Sequence, residues 1–176
     1  MSARPGGTSR AASGRSLLAT AFSTEPSTLG TDIAAVAVRI VLVWIFIYYG
    51  AGKLFGWFDG PGIHQTSLFM AGTAHLHPGG LFAVGAGVIE FVGALALALG
   101  LASRFAAVAL LVDQVIAMVT VTWAHGLSSS TSTGYEFNLA VAAMALVIVG
   151  IGAGRPSLDA IIGRRLGAGS GKDRPA

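Results

Sequence analysis

The sequence predicts an all-α integral membrane protein: a bundle of four transmembrane helices with a short interfacial or re-entrant segment in its first outer loop. Three observations carry this reading. Of the 176 residues, 53% are hydrophobic and only 11% charged, against roughly 25% charged residues in a soluble globular domain. Four apolar stretches, 33–58, 81–101, 105–124 and 135–153, each approach the ~20 residues that a helix needs to cross ~30 Å of hydrocarbon. Inside lipid the backbone must satisfy its own hydrogen bonds, so helices are the expected form of each stretch.

The third observation is the placement of lysine and arginine. Arg4, Arg10 and Arg15 precede the first stretch, Arg104 lies between the second and third, and Arg155, Arg164, Arg165, Lys172 and Arg174 follow the fourth. The connections 59–80 and 126–134 hold none. The positive-inside rule then puts both termini in the cytoplasm of a multi-pass protein of the inner (plasma) membrane. Tyr48, Tyr49, Trp57, Phe58, Trp123 and Tyr135 fall at the opposite, outer interface, where amphipathic rings favour the headgroup level.

The first stretch carries Arg39 and ends in "YYGAGKLFGWFDG", with Lys53 between glycines. The two cations are 14 residues apart, which returns them to one helix face within roughly 40° and separates them by ~21 Å along the axis. In the following loop, 67–74 is apolar but too short to span, and it is the interfacial or re-entrant candidate. The second stretch places Glu90 near mid-depth beside Gly93, Ala94 and Leu97; the third places Asp113 and Gln114 at a similar depth. The fourth opens on Glu136, whose helical face continues through Ala140, Ala143, Val147 and Gly150. Small residues beside the charges let helices approach closely.

An unpaired ionised group at such depth costs at least ~2.5–3.5 kcal/mol. Glu90 and Asp113 are therefore expected to face inward and to be paired, protonated or hydrated. Depth along the helices pairs Lys53 with Glu136 and Arg39 with Asp113, leaving Glu90 between them. Two readings stay open: structural ion pairs that fix helix order, or a polar cavity for a small ligand, a quinone head or a proton.

Other chemistries find no support. Cysteine is absent, which excludes disulfides, thiolate-held clusters and covalent haem attachment. His64, His75, His77 and His125 all belong to loops on the outer side, and none completes a metal-ligand spacing. The net charge of +3 is accounted for by residues flanking spans, so no nucleic-acid partner is implied. The organisation expected is a disordered basic cytoplasmic tail over 1–30, a membrane domain over 31–160 and a second basic cytoplasmic tail over 161–176. An organellar transit peptide is the alternative for the first tail.

Three pieces together resemble the DoxX family of small four-helix membrane proteins: Arg39 followed by "YYGAGKL", "GVIEFVGALALALGLASRFAA" over 87–107, and "TGYEFNLAVAAMALVIVGIGAGRPSLD" over 133–159. The resemblance implies a link to membrane redox complexes; related DoxD-type proteins belong to a thiosulfate:quinone oxidoreductase. It marks Lys53, Glu90, Arg104 and Glu136 as family-defining, with Asp159 closing the last motif. The expected function is a subunit or anchor of a quinone-linked oxidoreductase system in the lipid bilayer. It would work with other membrane or redox subunits, as a homo- or hetero-oligomer, with quinone as the candidate non-covalent cofactor. The candidate ligand or proton-relay residues are Arg39, Tyr49, Lys53, Trp57, Glu90, Asp113 and Glu136. The alternatives are a transporter or permease-like module for a small solute, or a purely structural scaffold subunit.

Overall fold

The computed structural model describes residues 28–128 and 134–162. Every regular element among them is helical. Helix α1 spans Thr28–Phe55 and α2 Gly62–Gly72; α3 spans Gly79–Leu99 and α4 Ser103–Ala117; α5 spans Glu136–Ile151. A π-helical turn, Met118–Thr122, and a 3-10 turn, Trp123–His125, prolong α4. α1 packs on α3 and on α5, α3 on α4, and α4 on α5, so the four long helices form a ring in which each touches two neighbours. α2 lies against α3 and α1.

Each long helix buries one narrow stripe. In α1 the stripe is Ala35, Arg39, Leu42, Phe46 and Gly50, the three- and four-residue spacing of a single face. Ala94 and Leu97 of α3, Ala107 and Leu110 of α4, and Val141 and Ile148 of α5 meet Leu42 and Phe46 in the common core. The remaining faces are apolar and uncovered: Trp44 is 78% exposed and Phe105 83%. Such surface on every long helix is what a bilayer covers. The stretches Thr28–Phe55, Gly79–Leu99 and Ser103–His125 are long and apolar enough to cross a membrane. α5 is apolar but only 16 residues long, or ~24 Å.

The end of the bundle that holds Arg39 is stitched by polar groups. Arg39 donates to the carbonyl oxygens of Ala153 (2.9 Å) and Pro156 (3.0 Å) in the turn after α5. In the same turn the Arg155 amide donates to Asp32 (3.1 Å). Arg104 reaches the carbonyl of Gly150 at 3.3 Å. The amides of Ala102 and Ser103 donate to the two carboxylate oxygens of Asp159 at 2.7 and 2.9 Å. Asp159 thus caps the start of α4 from outside that helix, satisfying amides that a helix N-terminus leaves open.

Several expectations shift in detail. α1 already begins at Thr28, inside the segment assigned to the first tail; the rest of that tail, and the second beyond residue 162, lie outside the described residues. The short segment of the first long loop is a helix, but α2 begins at Gly62 rather than at 67. The face assigned to Glu136 is wrong. Ala140, Ala143, Val147 and Gly150 are exposed, whereas Val141, Ala145 and Ile148 are buried. The apolar residues of α5 occupy every side of the helix, so its sequence alone leaves the rotation undetermined.

Partial burial pushes the Asp159 carboxyl up, but hydrogen bonds from Ser103 and Ala102 outweigh it and hold the group below its ordinary value. A depressed value means the cap stabilises fully at neutral pH and is lost as pH falls through the folded value. Asp159→Ala should therefore cost about 1 kcal/mol at neutral pH. In thermal unfolding across a pH series, the gap to wild type should narrow once pH drops below ~4.

Candidate functional site

The opposite end of the bundle is built around Lys53. α1 stops at Gly56, which takes the left-handed conformation (φ 71°) that glycine adopts without a Cβ penalty. Its amide closes on the Gly52 carbonyl, and the Trp57–Asp59 turn carries the chain back across the helix end. Lys53 therefore lies beneath a turn, with only 23% of its side chain exposed. It extends to Glu90 of α3, where Nζ and Oε1 are 2.5 Å apart. Its ammonium also stands 5.9 Å from the centre of the Tyr49 ring.

α1 and α3 must approach closely for this pair to form. Gly50 makes that possible: a Cβ there would come within 2.6 Å of the Phe91 amide nitrogen and 3.0 Å of the Glu90 Cβ. Glu90 is buried, at 2% exposure. A carboxylate so enclosed needs a counter-charge, because removing one partner of a buried pair leaves a desolvated charge.

Asp113 of α4 joins the pair from a third helix. It lies within hydrogen-bonding reach of Glu90 and in the field of Lys53. A polar chain supports it from behind. The Gln114 amide donates to Asp113 Oδ2 (3.2 Å), the Asn138 amide to Gln114 Oε1 (3.0 Å), and the Thr122 hydroxyl to Asn138 Oδ1 (3.1 Å). Thr122 belongs to the π-helical turn; π-turns inside helices recur at functional sites. Gln114 is buried and Asn138 partly so. The sequence reading missed Asn138. A signal was present, because Asn138 stands three residues before Val141 and begins the buried stripe of α5.

A cavity of about 680 Å³ opens beside this cluster. Lys53, Asp113 and Asn138 supply polar groups to a wall that is otherwise mostly apolar, completed by Phe69 of α2, Phe82 of α3 and Ile116 of α4. Size and lining match the usual small-molecule pocket, apolar with a few convergent polar groups. Phe69 of α2, Ile89 of α3 and Val112 and Ile116 of α4 line it and are also exposed, so it opens on an apolar flank.

The structure brings Lys53, Glu90 and Asp113 together, with Tyr49 beside them. The two expected ion pairs do not form. Lys53 pairs with Glu90 rather than Glu136, and Arg39 holds carbonyls at the far end rather than Asp113. The reason is the Cα–Cβ bond, which tilts towards the N-terminus of its own helix. That tilt aims Lys53 back into the bundle and Arg39 out to its own end. Glu136, in the first turn of α5, instead accepts from Ser128 Oγ at 2.9 Å. Trp57 packs against Phe55 and Phe58, is 54% exposed and does not line the cavity. Arg104 and Asp159 serve the far end. Among the described residues no three His, Cys, Asp or Glu side chains gather as a metal site.

The family model described as DoxX matches residues 34–123, a range that takes in α1 to α4 and the Lys53–Glu90–Asp113 cluster but stops short of α5 and Asp159. No curated protein and no solved structure matches the chain.

Lys53→Met strands two acids in the bundle, whereas Lys53→Met combined with Glu90→Gln leaves one. The single variant should lose at least about 1–3 kcal/mol of stability, and the double variant should recover part of it. Thermal unfolding in detergent, read as a double-mutant cycle, measures the coupling.

Proposed function

The chain belongs to the DoxX family, and on that premise we propose that it is a quinone-binding subunit or anchor of a membrane oxidoreductase system. The coarser statement, a multi-pass helical membrane protein, follows from the family and from three helices of spanning length and composition. In the full proposal α5 is a fourth span and the protein lies in the plasma membrane with both termini cytoplasmic. The Arg39 end then faces the cytoplasm, and the Lys53 end, with α2, faces outward.

The observation that carries the proposal is the cavity. Its apolar wall and flank opening suit a hydrocarbon-tailed molecule that enters from the bilayer. Lys53 and Asn138 are donors for the carbonyl oxygens of a flat neutral head. An anionic head is disfavoured, because Glu90 already neutralises Lys53 and Asp113 adds a second acid. The chain supplies binding and polar groups; electron transfer to a bound quinone would draw on a redox partner.

A charge-assisted hydrogen bond from Lys53 to a quinone oxygen is worth roughly 1.5–3 kcal/mol. Titration of the purified protein with a soluble quinone analogue should give saturable tryptophan quenching, and Lys53→Met should weaken binding by about tenfold or more. Equal quenching in both proteins removes the quinone site and favours a scaffold. Topology has its own measurement. Reporter fusions at Gly60 and Ser130 should read outside and one after Lys172 inside; an inside signal at Ser130 overturns the four-span arrangement.

A further inference from the structure

Three ionisable side chains from three helices meet beside the cavity, and their charges do not balance. Lys53 brings one positive charge; Glu90 and Asp113 bring two negative charges when both are ionised. Fully ionised, the cluster carries a net negative charge around the buried Glu90, where an uncompensated charge in a membrane bundle is costly. One bound proton makes it neutral.

The hydrogen bonds also lack one donor. Glu90 Oε1 accepts from Lys53, but Glu90 Oε2 is buried and has no donor. Asp113 is the group within hydrogen-bonding reach of Glu90. Two carboxylates are both acceptors, so their contact becomes a hydrogen bond only when one carries a proton. Asp113 Oδ2 is committed to the Gln114 amide, which Asn138 and Thr122 hold in place. Asp113 also lines the cavity, whereas Glu90 does not.

We propose that Glu90 and Asp113 share one exchangeable proton beside Lys53, so that the cluster next to the cavity is a proton-binding site of zero net charge whose proton enters and leaves by way of Asp113. One carboxyl O–H of the two acids donates to the other carboxylate, and Glu90 Oε1 accepts from the Lys53 ammonium. Losing the proton gives it to water or an occupant in the cavity and leaves two carboxylates against one ammonium.

Among the described residues no other titratable side chain is bonded to Lys53, Glu90 or Asp113. On α1, Asp32 and Arg39 are engaged at the far end, and Tyr49 presents its ring to Lys53. The one titratable residue of α2, His64, is exposed and does not line the cavity. Glu136 of α5 accepts from Ser128. The proposal deepens the reading above and rests on its membrane setting, but not on the identity of the occupant.

The test therefore uses no ligand. Infrared spectra of the full-length protein in lipid nanodiscs, recorded in H₂O and D₂O across pH, report protonated carboxyl groups directly. Wild type should show a carboxylic C=O band at neutral pH that shifts in D₂O and vanishes in alkali. Glu90→Gln and Asp113→Asn should each abolish it, since the remaining acid is matched by Lys53. Lys53→Met should roughly double it, because two acids then lie without a cation. Absence of the band from wild type at neutral pH overturns the proposal without folding any variant. A band of unchanged amplitude in both single-acid variants also overturns it, by assigning the proton to another carboxyl such as Glu136. Quinone binding without the band, or the band without quinone binding, separates this proposal from the one before it.

Discussion

Glu90 has to find a counter-charge in the middle of an apolar helix, and the geometry of the Lys53 end follows from how it does so. The cation comes from one turn further along α1 and reaches back along the bundle, so α1 and α3 must lie almost backbone to backbone at Gly50. The chain must also turn immediately after Lys53, at Gly56, or the ammonium would have open water as its alternative. Close contact between α1 and α3 leaves room on the other flank of α3, and there the cavity opens. The ion pair, the tight turn and the pocket are one arrangement.

Much of this was legible in the sequence, and what was not failed for identifiable reasons. Arg39 and Lys53 do share a face of one helix, and Glu90 does face inward among small residues, because helical periodicity and desolvation cost are properties of the sequence itself. Their partners were misassigned because depth was measured at Cα. A lysine or arginine side chain spans more than a helical turn, and its direction is set by the helix sense. The rotation of α5 was illegible for a different reason: with apolar residues on every side, periodicity distinguishes no face. Only Asn138 marked the inward one. Asp159 stood out as the end of a motif, but its bond to the amides of Ala102 and Ser103 is a contact between segments 56 and 57 residues apart, beyond the reach of any local pattern.

The two ends of the bundle are held by different kinds of bond. At the Arg39 end, charged side chains grip main-chain carbonyls and amides. Such contacts lock side chains onto the backbone of the connecting turns. At the Lys53 end the bonds run between side chains, through ammonium, carboxyl, amide and hydroxyl groups. Side-chain networks can gain or lose a proton or yield to an incoming molecule while the helices stay in place, so one end is suited to anchoring and the other to exchange.

The cap on α4 has a consequence for the order in which the molecule is made. Asp159 emerges from the ribosome after all five helices, so the amides of Ala102 and Ser103 begin their existence facing whatever the translocation machinery and the headgroup region offer. Arg39 likewise waits for the carbonyls of Ala153 and Pro156. The first helices therefore enter the membrane as a loosely fastened set, and it is a stretch of chain made after all of them that draws their ends together.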